Sequence, residues 1–338
     1  MVKVGIVGAG FMGSMHAAVY NKLPDVKIAG ICDIRAEKAK SLAEKHKSVA
    51  FYDAELILKR DDITVIDICL PTFLHKEFVV KAAKAGKDVI CEKPIALTVA
   101  DADEMVKICK ENRVRFMVAQ VIRFWPEYQF LKEVHDRKKY GNLISLSCRR
   151  LASPPTYGWQ NWLMDGKRSG GAPVDLHIHD TDFIRYLMGK EPKTVYGRGI
   201  KDPESGYTHI FSTFTFDDGA VVTAEGGWDM PSKFSFLMSY TAQYEKATID
   251  FNCNTNPTLT VYEAAGNIER PVFDVVMAEE TGGNISVLGG YFNEIRYFIE
   301  HVTHNKPFSV VTPEDARNTL DLVLKEIQSA DGGTQIIL

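Results

Sequence analysis

Asp175 and His179 stand four residues apart in Gly170-Gly171-Ala172-Pro173-Val174-Asp175-Leu176-His177-Ile178-His179-Asp180. In a helix that spacing puts both side chains on one face, within reach of each other and of a common ligand. A carboxylate beside an imidazole orients the ring as a proton acceptor, which suits removal of a proton from a hydroxyl. The same spacing also describes an ordinary pair on a helix surface. His177 and Asp180 compete for these roles, but His177 lies on another face and Asp180 is expected in packing or a salt link. Lys93, in Cys91-Glu92-Lys93-Pro94, is an ammonium just past an apolar run. Partly buried, it can donate a hydrogen bond to a ligand oxygen; taken alone, it describes a surface lysine opening a loop.

A second group of residues suits phosphate. Gly8-Ala9-Gly10-Phe11-Met12-Gly13 directly follows the apolar run Val2–Val7 and opens a helical pattern. In that context Gly8 permits the tight turn, Gly10 lets the backbone approach a pyrophosphate, and Gly13 allows close helix–strand packing. The first-turn amides, including those at Phe11 and Met12, and the helix dipole then face the phosphates. Ile31-Cys32-Asp33 ends the next strand twenty residues beyond Gly13. An acidic side chain there accepts from both adenosine ribose hydroxyls and repels a 2′-phosphate, which favours NAD over NADP. Arg35 keeps NADP open, because its guanidinium can pair with a 2′-phosphate or stack on adenine. Asp33 has a competing role as N-cap of the helix beginning near Arg35.

These residues need a frame. Over the first 120 residues, strands are expected at Val2–Val7, Lys27–Cys32, Val65–Leu70, Asp88–Cys91 and Arg115–Ala119, mostly as continuous apolar runs. Helices are expected at Phe11–Lys22, Arg35–His46, Ala54–Lys59, His75–Ala85 and Thr98–Asn112. This alternation specifies a doubly wound α/β domain with a parallel sheet. Beyond it come Leu143–Arg149, Thr194–Ile200, His209–Phe216, Ala220–Trp228, Phe234–Thr241, Lys246–Phe251 and Thr258–Glu263, consecutive strands with few helices between them. Asp217-Asp218-Gly219 marks a hairpin. Partial alternation on these strands predicts an open, mostly antiparallel sheet, with helices on one face and a second subunit on the other. Two helices, near Tyr291–His304 and Pro313–Ala330, close the chain. The fold class is thus α/β plus α+β, a Rossmann domain over 1–121 and a substrate-binding and oligomerisation domain over 122–338.

Three segments read together resemble the glucose–fructose oxidoreductase/inositol dehydrogenase (Gfo/Idh/MocA) family: Leu70-Pro71-Thr72-Phe73-Leu74-His75, Cys91-Glu92-Lys93-Pro94 and the glycine–Asp–His segment. Their order and spacing match across essentially the whole chain, including the switch from Rossmann domain to antiparallel sheet. The first two close parallel strands, where ligands bind in open α/β sheets, so Leu70, Pro71, Thr72, His75 and Glu92 join the glycine turn, Asp33 and Arg35 as expected cofactor residues. The resemblance implies that Lys93 contacts the reacting oxygen, that Pro94 follows a cis peptide, and that Asp175 and His179 bind substrate and transfer its proton. Ala172-Pro173 replaces the third glycine and aliphatic residue frequent in relatives, and Thr72 replaces a frequent asparagine; neither removes a group the chemistry needs. Arg123-Phe124-Trp125-Pro126 and Tyr157-Gly158-Trp159-Gln160-Asn161-Trp162 set rings beside amides and a guanidinium, a mixture suited to a sugar. Arg123 and Trp162 are therefore expected substrate contacts, and Trp228 a weaker one.

Composition narrows the alternatives. A net charge of −4 provides no global field for nucleic acid or an anionic membrane. The six cysteines are scattered with no C-x-x-C, which fits a reducing compartment and argues against a metal cluster. Glycines interrupt the apolar stretch Met1–Tyr20, unlike a secretion signal. The expectation is a cytoplasmic homodimer or homotetramer that oxidises or reduces a secondary alcohol of a cyclic polyol, sugar or sugar derivative with NAD. Two other classes stay open: an NAD-dependent glycosidase with a transient oxidation, and a non-catalytic sensor of dinucleotide or sugar.

Overall fold

A computed structural model of the chain describes residues 1–273 and 288–338. The chain divides into two units, one comprising 1–125 and 288–318, the other 126–273 and 319–338, counting described residues.

The first unit begins β1 (Val2–Val7), α1 (Phe11–Tyr20), β2 (Val26–Cys32), α2 (Ala36–Lys45), β3 (Ala50–Phe51) and α3 (Ala54–Leu58). It continues β4 (Val65–Ile68), α4 (His75–Lys84), β5 (Asp88–Glu92), α5 (Val99–Glu111) and β6 (Phe116–Ala119). The strands are parallel in the order β3-β2-β1-β4-β5-β6. Valine and isoleucine fill both faces: Val4, Ile6, Ile31, Val65, Ile68, Val89 and Ile90 have no exposure, as a sheet covered by helices on both sides requires. The order reverses between β1 and β4, so their carboxyl ends open a crevice between the Gly8–Gly13 turn and the segment after Ile68. The short β3, absent from the sequence expectation, extends the edge beside β2.

The second unit contains α6 (Pro126–Asp136), β7 (Leu143–Leu151), α7 (Gly166–Ser169), α8 (Ile178–Met188), β8 (Thr194–Asp202), β9 (Gly206–Thr215) and β10 (Val221–Gly227). Then follow β11 (Leu237–Tyr244), β12 (Ala247–Asn252), β13 (Leu259–Glu263) and β14 (Ile268–Glu269). Helix α9 (Gly289–Thr303) belongs to the first unit; α10 (Pro313–Gly332) counts with the first up to Asn318 and with the second after it, and β15 (Ile336–Ile337) ends the chain.

The second sheet runs β14-β13-β12-β11-β7-β10-β9-β8-β15. The Asp217-Asp218-Gly219 turn does join an antiparallel hairpin, β9 to β10, with Gly219 at φ +80°. The sheet is mostly antiparallel, as expected, but β10 pairs with β7 in parallel, in the middle of the sheet. The long connection from β7 through α7 and α8 lets the chain return in the same direction, which no short turn can do. On β9, Ser212 and Phe214 point into the covered face while Phe211, Thr213 and Thr215 are exposed. On the open face Ile144, Phe211, Val221 and Tyr262 are 45–57% exposed. Among the described residues, no helix is long and apolar enough to cross a membrane.

Candidate active site

The glycines of the β1–α1 turn differ in what their missing side chains permit. Gly8 has φ +108°, and a Cβ there would lie 2.2 Å from the Cys69 carbonyl oxygen; one on Gly13 would lie 1.8 Å from the Gly8 oxygen. Both are needed for close backbone packing. At Gly10, in contrast, a Cβ would meet nothing within 4 Å. Gly10 is also the N-cap of α1, and no side chain caps that helix or places an acid in its first turn. Open space before uncapped amides fits a pyrophosphate. Phe11 and Met12, the first residues of α1, are half-buried there.

Asp33 follows β2, 7% exposed. Its Oδ2 accepts from Ala9 N at 2.9 Å, which ties Asp33 to the glycine turn. Arg35 donates to it three times, from its backbone N and Nε to Oδ1 at 2.9 Å each and from Nη2 to Oδ2 at 2.8 Å. Burial raises the Asp33 carboxyl, but these donors outweigh it and hold the group below the usual carboxylate range. The N-cap of α2 is Arg35, with no side-chain cap bond, so the capping alternative for Asp33 is not the one the chain adopts.

Two more loops leave the carboxyl ends of β4 and β5. His75, fully buried, joins them: its Nδ1 lies 2.8 Å from Pro94 O and its Nε2 2.9 Å from Leu70 O. Burial lowers the His75 pKa, with the two carbonyls acting in the opposite direction. Thr72 is buried and Pro71 half-buried beside it. Glu92 ends β5, and its Oε2 accepts from the Lys93 backbone N at 3.1 Å. The Lys93–Pro94 peptide is cis, as the resemblance implies, and the Lys93 side chain is half-buried. Arg123, 2% exposed, reaches Val310 O at 2.7 Å and Asp315 at 2.5 Å. Its guanidinium is thus engaged within the first unit.

Beneath these loops lies a buried polar group that pattern reading missed. His16 Nδ1 is 2.8 Å from Asp67 Oδ2, and Tyr20 Oη donates to the same oxygen at 2.9 Å. His16 Nε2 lies 3.1 Å from Glu92 Oε1, an ion-pair distance without hydrogen-bond alignment. The Cys69 thiol donates to Asp67 Oδ1 at 3.3 Å. Donor atoms of His16, Asp67 and Cys69 fall within 4.8 Å of one another. They already bond each other, and burial pushes the Cys69 thiol up, away from the thiolate a metal ligand requires. The signal was present in the sequence: an aspartate inside Val65-Ile66-Asp67-Ile68 and a histidine inside an apolar helix both demand buried partners.

In the second unit, Gly170 and Gly171 take left-handed φ values of +78° and +74° after α7. A Cβ on Gly171 would lie 2.8 Å from the Tyr207 carbonyl oxygen. The chain then enters a π-helical turn, Pro173–His177, continued by α8. Proline is tolerated in that first turn, where its absent N–H is not needed. Three side chains fix the rotation of this helix. Asp180 takes a buried bidentate pair from Arg150 at 2.8 and 2.9 Å, His177 Nε2 sits 2.7 Å from Glu326, and Thr181 donates to Glu326 at 2.8 Å. Asp175 and His179 are half-buried. Trp162 is half-buried in a 3-10 segment, Trp159–Met164, and Tyr157 is 78% exposed. Trp228, by contrast, is a core residue at 1% exposure.

Residues 2–120 match the model of the oxidoreductase family with an NAD-binding Rossmann fold, and residues 128–250 match the GFO/IDH/MocA C-terminal domain. Levoglucosan dehydrogenase of Pseudarthrobacter phenanthrenivorans is 31% identical over 311 residues, 81% of this chain and 80% of that one. The 2,7-anhydro-N-acetylneuraminate hydratase of Escherichia coli is 30% identical over 239 residues, 67% of this chain and 62% of that one. The alignments with the first four curated relatives span 52–66% of those proteins' lengths. An oxidoreductase from Agrobacterium radiobacter, solved with NAD+, L-tartaric acid and magnesium, superposes with a TM-score of 0.87 at 20% identity, covering 99% of this chain and 98% of that one. With both domain models matched in order, the chain belongs to the Gfo/Idh/MocA family of oxidoreductases and carries its NAD-binding Rossmann domain.

Proposed function

We propose that this chain is an NAD-dependent dehydrogenase acting on a secondary alcohol of a cyclic polyol, sugar or sugar derivative, or catalysing the reverse reduction. Bound nicotinamide would supply the hydride acceptor. The Lys93 ammonium holds the alcohol oxygen by a hydrogen bond, and His179 takes the hydroxyl proton as the C–H bond gives up its hydride and the carbonyl forms. Asp175 orients His179 and stabilises the imidazolium it becomes. Trp162 offers a ring to the C–H face of the sugar. Arg123 braces its own unit through Asp315 and Val310 and is left out of the substrate set.

The observation that carries this reading is the division of labour along the Pro173–Met188 segment. His177, Asp180 and Thr181 are buried and hold it in place through Arg150 and Glu326, while Asp175 and His179 on the same segment are half-buried. A panel of polyols and sugars incubated with NAD should give a rise in absorbance at 340 nm with at least one cyclic compound. NAD binding with no absorbance change across the whole panel contradicts the dehydrogenase reading.

One observation favours a second reading. A relative 30% identical is named a hydratase, and hydration leaves no net change in NAD. Conversion of an anhydrosugar or glycoside without NADH accumulation, but only in the presence of NAD, would establish that redox-neutral form.

A further inference from the structure

The cluster around His16 extends the proposed chemistry into the helix that opens the dinucleotide turn. His16 has no exposure, and both of its ring nitrogens face carboxylates, Nδ1 to Asp67 at 2.8 Å and Nε2 to Glu92 at 3.1 Å. A neutral imidazole carries one N–H and would set its other lone pair against a carboxylate oxygen. An imidazolium donates to Asp67 and sets its positive charge at ion-pair distance from Glu92, and two buried carboxylates with no cation between them would be costly. Among the described residues bonded to Asp67 or set against the His16 ring, none is a cation. Tyr20, from the same helix, and Cys69, past β4, both donate to Asp67. From α9, Tyr291 sets its ring centroid 6.3 Å from that of His16, and Glu294 adds a further carboxyl near Tyr20. Burial works against the charged form of His16, yet Asp67 raises its pKa well above the ordinary value.

Glu92 is the link to the chemistry. One oxygen faces His16, and the other accepts the Lys93 backbone N–H at 3.1 Å. Lys93 follows immediately in the chain, so the angle of this carboxylate sets where the Lys93 backbone leaves β5.

We propose that His16 is a positioning residue for Lys93: as an imidazolium clamped between Asp67 and Glu92, it fixes the Glu92 carboxylate that holds the Lys93 backbone. This rests on the reading of Lys93 as the residue that binds the reacting oxygen. It assigns a catalytic consequence to a side chain that touches neither substrate nor reacting atoms.

The test uses the full-length protein with NAD and the substrate found in the 340 nm panel. His16→Gln should lower kcat about 10- to 100-fold, as expected for a small misplacement of a catalytic group, while the Kd for NAD changes less than about twofold. Nitrogen-15 NMR of the labelled wild-type protein should find both His16 nitrogens protonated at pH 7.5, a readout that does not depend on the variant folding. A neutral His16 ring, or folded His16→Gln protein with wild-type kcat while Lys93→Ala is inactive, overturns the positioning role and leaves the Lys93 assignment standing. Undiminished turnover in Lys93→Ala overturns the underlying reading instead.

Discussion

Arg35 grips Asp33 with a two-pronged pair, Nε to Oδ1 at 2.9 Å and Nη2 to Oδ2 at 2.8 Å, while Ala9 N holds the same carboxylate from the glycine turn. The acid expected to meet the adenosine ribose and the base that kept NADP open are thus one unit. Ribose hydroxyls arriving at Asp33 would compete with Arg35 as donors. A hydrogen bond to a charged group contributes about 1.5–3 kcal/mol, so Asp33→Ala should weaken NAD binding by about 10- to 100-fold. It should also narrow the preference over NADP, since the repulsion of a 2′-phosphate disappears. Fluorescence titration with both dinucleotides checks this; an unchanged ratio of the two affinities would contradict it.

The same pair predicts a pH dependence of stability. The Asp33 carboxyl lies below its ordinary value in the folded chain, so its contribution is present above the unfolded pKa of about 3.9 and is lost as pH falls through the folded value. The melting temperature of the wild type should exceed that of Asp33→Asn at pH 7, and the gap should close below about pH 4. A gap that widens on acidification would reverse the sign.

The glycine turn separates folding from binding. Gly13→Ala places a Cβ against the Gly8 carbonyl oxygen and should yield little folded protein, whereas Gly10→Ala meets nothing within 4 Å. Gly10→Ala should therefore melt within a few degrees of wild type and still bind NAD poorly, because the methyl occupies the space for the pyrophosphate. Differential scanning fluorimetry with and without NAD distinguishes the two; equal NAD-induced shifts in Gly10→Ala and wild type would remove the pyrophosphate assignment.

Within the Pro173–Met188 segment, neighbouring histidines should respond in opposite ways. His177→Ala removes one of the donors to a fully buried Glu326, leaving Thr181 and Ser212, and should cost about 1–3 kcal/mol of stability. His179→Ala should leave the melting temperature almost unchanged and reduce turnover at least about 100-fold. Loss of stability in His179→Ala without loss of turnover would assign it to the framework.

Most of the parallel sheet was legible because buried parallel strands write themselves as continuous apolar runs; Val2–Val7 matches to the residue. The two-residue strands Ala50–Phe51, Ile268–Glu269 and Ile336–Ile337 were not, since so short an edge has no period to read. The parallel pairing of β7 with β10 depends on a long-range return of the chain that alternation cannot encode. At the site, the glycines announced themselves through spacing, whereas the His16–Asp67–Glu92 cluster is assembled from three elements. Its members advertised only that each needed a partner. Arg123 beside aromatic residues suggested a sugar contact, but Asp315, nearly two hundred residues later in the chain, engages its guanidinium.

The central claim, that Lys93 holds the reacting oxygen, is tested most directly by Lys93→Ala, assayed at 340 nm with saturating NAD and the substrate found in the panel, alongside a titration of NAD binding. The account predicts that turnover disappears while the Kd for NAD stays within about twofold of wild type. Undiminished turnover in the folded variant would contradict it.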